Sequence, residues 1–100
     1  MAKWKVSITD EAAKVFGSSL LSTDDRIVIQ QWAELVRDHG PDALAKRPGM
    51  WADHPLYGEW RGHRASSFSN SGRIIYKVQD QVVTVSVVRI TTEHDYRRKK

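Results

Sequence analysis

DHPLYGEWRGHRASSFSNSGRIIYKV, Asp53 to Val78, carries two histidines, Trp60 and the arginines Arg61, Arg64 and Arg73 on what reads as a pair of strands. Glu59 to Ser67 is the first strand and Arg73 to Val78 the second, joined by the turn Asn70-Ser71-Gly72. A further turn, Gln79-Asp80-Gln81, leads into Val82 to Ile90. The run VVTVSVVRI is β-branched and apolar on both faces, as expected of a central strand covered on both sides. It delivers the chain to His94 and Tyr96.

Upstream, Trp4 to Thr9 alternates apolar and polar residues, which predicts a half-buried first strand. Thr9 suits a helix N-cap, and Asp10 and Glu11 suit the positive end of a helix dipole, so a short helix is expected from Asp10 to about Phe16, ended by Gly17. Ser22 and Asp25 have capping-box spacing, and Ile27, Val28, Trp32, Leu35 and Val36 recur at helical spacing behind them. His39 falls in the last turn of this second helix, followed by Gly40 as cap and Pro41 as stop, and reads as a helix-end residue. Pro41 to Lys46 predicts one more turn, and Arg47 to Tyr57 an ordered loop pinned by Trp51. His54 precedes Pro55, which pushes its backbone towards an extended conformation. The expected fold is α+β: an N-terminal strand, two helices, then a three-stranded antiparallel meander, one small sheet with helices on one face.

One hundred residues with 40% hydrophobic content fit a single domain over residues 1–100. The absence of cysteine excludes disulfides, Cys-ligated metal and thiol nucleophiles, and agrees with a cytoplasmic protein. No apolar run approaches the length of a membrane span, and MAKWKVSITD has no signal-peptide core, so no membrane association is expected. Residues 1–50 carry seven Lys/Arg against seven Asp/Glu, and residues 51–100 nine against five, so the whole net charge of +4 lies in the second half. That asymmetry suggests a polyanionic partner, although the terminal RRKK run alone accounts for it.

His54, His63 and His94 suit acid and base work near neutral pH, and no HxxxH or HxH spacing suggests a metal. Arg61, Arg64, Arg73 and Arg89 lie on strands or strand ends, where guanidinium forks can hold a phosphate. Strand parity puts Arg73 and Lys77 on one face and Ile74, Tyr76 and Val78 on the other, so the basic face is not the core face. Trp60 and Tyr76 are assigned to packing, and Tyr96, among polar residues, remains a candidate for stacking or proton transfer. The serines from Ser66 to Ser71 lack a nucleophile elbow and are explained by turn chemistry.

The segments DHPLYGEWRGHR (Asp53 to Arg64), RIIYKV (Arg73 to Val78) and the strand leading into HDY (His94 to Tyr96) resemble the RelE/ParE superfamily of toxin-antitoxin toxins. The similarity is greatest to its histidine-containing, YafQ-like branch, through the string H-P-L-x-G-x-W-x-G-x-R. The resemblance implies a cofactor-free endoribonuclease that cuts mRNA in the ribosomal A site through the RNA's own 2′-hydroxyl. It implies a cognate antitoxin as partner, beside the ribosome and mRNA, with Phe16, Leu20 or Leu21 as docking points. By position, His54 and His94 are the implied base and acid, in unresolved order, with Arg64 as a basic strand residue, Arg73 on the phosphate and Tyr96 as the C-terminal aromatic. Arg61, Lys77, Arg89, Arg97 and Arg98 are the expected RNA contacts. Ser67 stands where the branch has a further histidine and Ser71 where it has an acidic residue. His63 lies about 13 Å from Ser67 on the same strand face and is a candidate substitute. A gyrase-inhibiting ParE-like toxin and an inactive antitoxin-binding homologue are the alternatives.

Overall fold

The computed structural model describes residues 4–90. Its first strand, β1 (Lys5–Ile8), runs directly into α1 (Asp10–Phe16). Thr9 caps α1, accepting from the Ala12 amide at 3.2 Å while its own hydroxyl donates to the Ser86 carbonyl at 2.7 Å. The cap therefore ties the helix start to the middle of β5 (Val82–Ile90). Gly17 ends α1 by donating its amide to Ala13.

The second helix, α2 (Thr23–His39), begins in a complete capping box: the Asp25 amide donates to the Ser22 hydroxyl at 3.0 Å and the Ser22 amide to the Asp25 carboxylate at 3.1 Å. It buries Ile29, Trp32 and Val36, while Val28 and Leu35 are partly covered and Ile27, expected on the apolar stripe, faces solvent. Arg26 closes the connection to α1, donating to the carbonyls of Phe16 and Ser18 with its guanidinium 5.6 Å from the Phe16 ring centroid. At the far end Gly40 takes φ 85°, and a Cβ there would lie 2.7 Å from the Trp4 indole nitrogen. The close approach of β1 to the end of α2 thus requires glycine at that position. Two one-turn helices follow, α3 (Asp42–Ala45) and α4 (Pro48–Trp51), which bury Leu44 and Trp51. No helix of the described residues is long and apolar enough to cross a membrane.

The sheet is larger than the expected three-stranded meander. It has five strands in the order β1-β5-β4-β3-β2 and is mixed, because β1 pairs parallel to β5. β2 is only His54–Pro55, an edge piece antiparallel to β3 (His63–Ser67). The strand expected from Glu59 begins four residues late, because Gly58–Trp60 form a 3₁₀ turn and Gly62 takes φ 91°. β4 (Gly72–Gln79) pairs antiparallel with both β3 and β5.

Against β5 the register of β4 slips by one residue: Ile75 faces Val87 but Tyr76 faces Val85, leaving Ser86 as a bulge. This keeps Val83, Val85 and Val88 all buried against the helices, on the face shared with Ile74 and Tyr76. Trp32 meets Tyr76 edge-on at 5.2 Å in the middle of that core. Phe68 folds over the hairpin start, where a Cβ on Gly72 would come within 2.3 Å of its ring.

Candidate active site

The register sets out the sheet face opposite the helices residue by residue. His54 faces Ala65, which faces Ile75 and in turn Val87. One row along, Ser67 faces Arg73 and Arg73 faces Arg89; on the other side His63 faces Lys77 and Lys77 faces Thr84. Five of the expected residues, His54, His63, Arg73, Lys77 and Arg89, therefore share one face, around a small apolar centre made by Ala65 and Ile75. Standard strand spacings put the Cα of His54 roughly 8 Å from that of His63 and roughly 12 Å from that of Arg73, within reach of one phosphodiester for side chains of this length. Arg61 is exposed in the turn just before β3. His94, Tyr96, Arg97 and Arg98 lie outside the described residues.

Arg73 is partly buried and oriented by the β3–β4 turn. Its Nη1 donates to the carbonyls of Gly72 at 2.9 Å, Ser69 at 3.3 Å and Asn70 at 3.4 Å. It lines an open cleft of about 300 Å³ between that turn and α4, together with Ser67, Asn70, Met50 and Ala52. The two serines that depart from the YafQ-like pattern flank the same arginine, Ser67 directly opposite it on β3 and Ser71 in the turn. His63 packs edge-on against Trp60 at 5.1 Å, and its Nδ1 is buried without a partner among the described residues.

Arg64 does not join this set. Strand alternation places it with Ser66 and Tyr76 on the helix-facing side, where its Nε donates to Asp53 Oδ1 at 2.7 Å. The Asp53 side chain is only 2% exposed and is fully engaged: Oδ2 also accepts from the Ser66 hydroxyl at 2.6 Å and from the Tyr76 hydroxyl at 2.5 Å. Ser66 in turn accepts from the Trp32 indole at 3.0 Å. Three charge-assisted hydrogen bonds offset the cost of burying the carboxylate. Burial, the Asp53 hydrogen bond and the Asp53 charge all push the Tyr76 phenol far above its ordinary pKa. For Arg64, partial burial acts downward, but the hydrogen bond and charge of Asp53 outweigh it and raise the guanidinium.

That network holds the turn carrying His54. Ala52 lies in the left-handed region at φ 46°, ψ 40°, which costs a non-glycine residue about 1–2 kcal/mol. It is clamped between two buried anchors, Trp51 at 2% exposure and the Asp53 side chain. The turn brings the Ala52 carbonyl to 2.9 Å from Nδ1 of His54. Sequence reading missed Asp53. Its only local signal is an acidic residue directly before the histidine, since its partners stand 11, 13 and 23 positions away. Of the suggested docking residues, Leu21 is core at 4% exposure, Phe16 is partly buried and Leu20 is exposed.

No protein-family model and no curated protein matches the sequence. Solved structures do match. YafQ from E. coli strain BL21(DE3) superposes with a TM-score of 0.71 at 17% identity, over 87% of this chain and 92% of that one. The heterotetrameric YoeB-YefM toxin-antitoxin complex from Staphylococcus aureus gives 0.69 at 12% identity, over 91% of this chain and 100% of that one. The archaeal RelE-RelB complex from Pyrococcus horikoshii OT3 gives 0.68 at 14% identity, over 91% and 98%. The chain has the fold these toxins share.

Proposed function

We propose that this chain is the toxin of a type II toxin-antitoxin module and that it cleaves mRNA in the ribosomal A site without a cofactor. The observation that carries this reading is the shared face on which His54, His63, Arg73, Lys77 and Arg89 converge, opposite the helical layer. The fold held in common with YafQ, YoeB and RelE supports it. Two of those neighbours are complexes, with YefM and with RelB, which supports a cognate antitoxin here.

In this reading His54 and His94 are the base and acid pair. One takes the proton of the RNA 2′-hydroxyl as its oxygen bonds to phosphorus; the other protonates the 5′-oxygen as its bond to phosphorus breaks. A 2′,3′-cyclic phosphate and a 5′-hydroxyl result. Arg73 and Arg89 hold the non-bridging oxygens, where negative charge grows in the transition state. His63 is positioned to assist beside His54, and Tyr96 supplies a stacking surface. Arg61, Lys77, Arg97 and Arg98 contact the RNA backbone. Arg64 acts from behind the sheet through Asp53.

Primer extension on a defined mRNA, incubated with the purified protein with and without translating ribosomes, tests the proposal. Cuts confined to translated message are expected. Intact message in both reactions overturns the nuclease reading, and accompanying loss of gyrase supercoiling activity would put a ParE-like role in its place.

A further inference from the structure

The buried Asp53 carboxylate neighbours a site histidine yet never touches it, and its role is not explained by packing alone. A carbonyl oxygen only accepts hydrogen bonds, so the 2.9 Å contact between Ala52 O and His54 Nδ1 requires a proton on Nδ1. That requirement holds for the neutral ring and the cation alike, and it leaves Nε2 as the nitrogen open to the substrate. The bond depends on a left-handed alanine that nothing in its own side chain stabilises. What fixes it is the anchor on each side: Trp51 in the core, and Asp53 bound by Arg64, Ser66 and Tyr76.

Building on the proposed role of His54, we infer that Asp53 is a positioning residue that locks the Ala52 turn, so that His54 keeps its proton on Nδ1 and transfers protons through Nε2. Backbone carbonyls set histidine tautomers in this way in many sites, and the groups that orient them affect activity strongly without meeting the substrate. Among the described residues no titratable side chain is hydrogen-bonded to the His54 ring, and the Ala52 carbonyl is the partner that selects the tautomer.

The test reads the ring directly. Nitrogen NMR of the purified full chain, at a pH where His54 is neutral, is expected to show Nδ1 protonated and Nε2 bare. Asp53→Asn replaces an oxygen acceptor with an amide donor. Tyr76→Phe removes one hydroxyl and keeps the core filled, so it decides the matter if Asp53→Asn does not fold. Both are expected to return His54 to the mixed tautomers of an unrestrained imidazole and to lower kcat on the order of tenfold to a hundredfold with little change in KM. A proton found on Nε2 in the intact protein overturns the inference, as does a retained Nδ1 proton in both folded variants. If the tautomer is as stated but no RNA is cut, the nuclease reading falls and the positioning role of Asp53 stands.

Discussion

Arg73 and Arg89 face each other directly across β4 and β5, two guanidinium side chains on one sheet face in a register that gives neither an acidic cross-strand partner. Like charges placed opposite each other cost an antiparallel pair up to about 1 kcal/mol. The arrangement is relieved when an anion lies between them. Arg89→Thr is therefore expected to raise the melting temperature slightly in low-salt buffer while reducing RNA cleavage at least tenfold. Added inorganic phosphate should stabilise the parent protein more than the variant, which melting curves at increasing phosphate would show. Equal stabilisation of both would remove the pair from the proposed phosphate site.

Loss of Asp53 should be felt in the fold as well as at the site. Asp53→Ala leaves the buried Ser66 and Tyr76 hydroxyls without their shared acceptor, and each stranded buried hydroxyl costs about 1–3 kcal/mol. Arg64→Met should cost clearly less, because that side chain is 39% exposed and the carboxylate keeps two donors. Urea denaturation of the two variants gives the comparison, and the reverse order would show the carboxylate to be dispensable.

Tyr76 predicts a specific alkaline weakness. Its pKa is raised in the folded protein, so above the ordinary phenol value of about 10 the unfolded chain releases this proton first. The stability it contributes is complete below pH 10 and is lost as pH climbs towards the folded value. The melting temperature should fall from about pH 10 upward, and Tyr76→Phe should flatten that fall while lowering stability at neutral pH.

Gly72 joins stability to the site. A methyl group there would come within 2.3 Å of the Phe68 ring, so Gly72→Ala must move either the ring or the strand. A loss of about 1–3 kcal/mol is expected, as in other overpacked cores. Arg73 follows immediately and is held by the same turn, so cleavage should fall as well. Restoring space with Phe68→Leu in the same chain should recover part of both.

Much of this architecture is written locally. The Thr9 and Ser22 caps, the Gly17 and Gly40 stops and the bounds of Val82–Ile90 all follow from residues within a turn of each feature. The parity of Arg73 and Lys77 likewise follows from alternation alone. What escaped reading depends on pairing across long sequence distance. A two-residue strand at His54–Pro55 has no period to detect, and the parallel β1–β5 pair joins the two ends of the described chain. Arg64 shows the same limit at the site: its place on a strand among other arginines suggested phosphate, whereas its strand phase, opposite to that of His63 and Ser67, sends it to Asp53.

The bulge at Ser86 gives β5 two reading frames. Before it, odd-numbered residues point to the helices; after it, even-numbered ones do, and only then does Arg89 come to lie beside Arg73. Were Ser86 paired in regular alternation instead of bulged out, the last part of the strand would turn over, burying Arg89 against the helical layer and presenting Val88 in its place. Deleting the residue would remove the bulge and keep both faces, because Val85 and Val87 already face consecutive residues of β4. A hairpin transplanted from another protein of this fold without the extra residue would keep both faces but lose the Ser86 carbonyl that accepts the Thr9 hydroxyl.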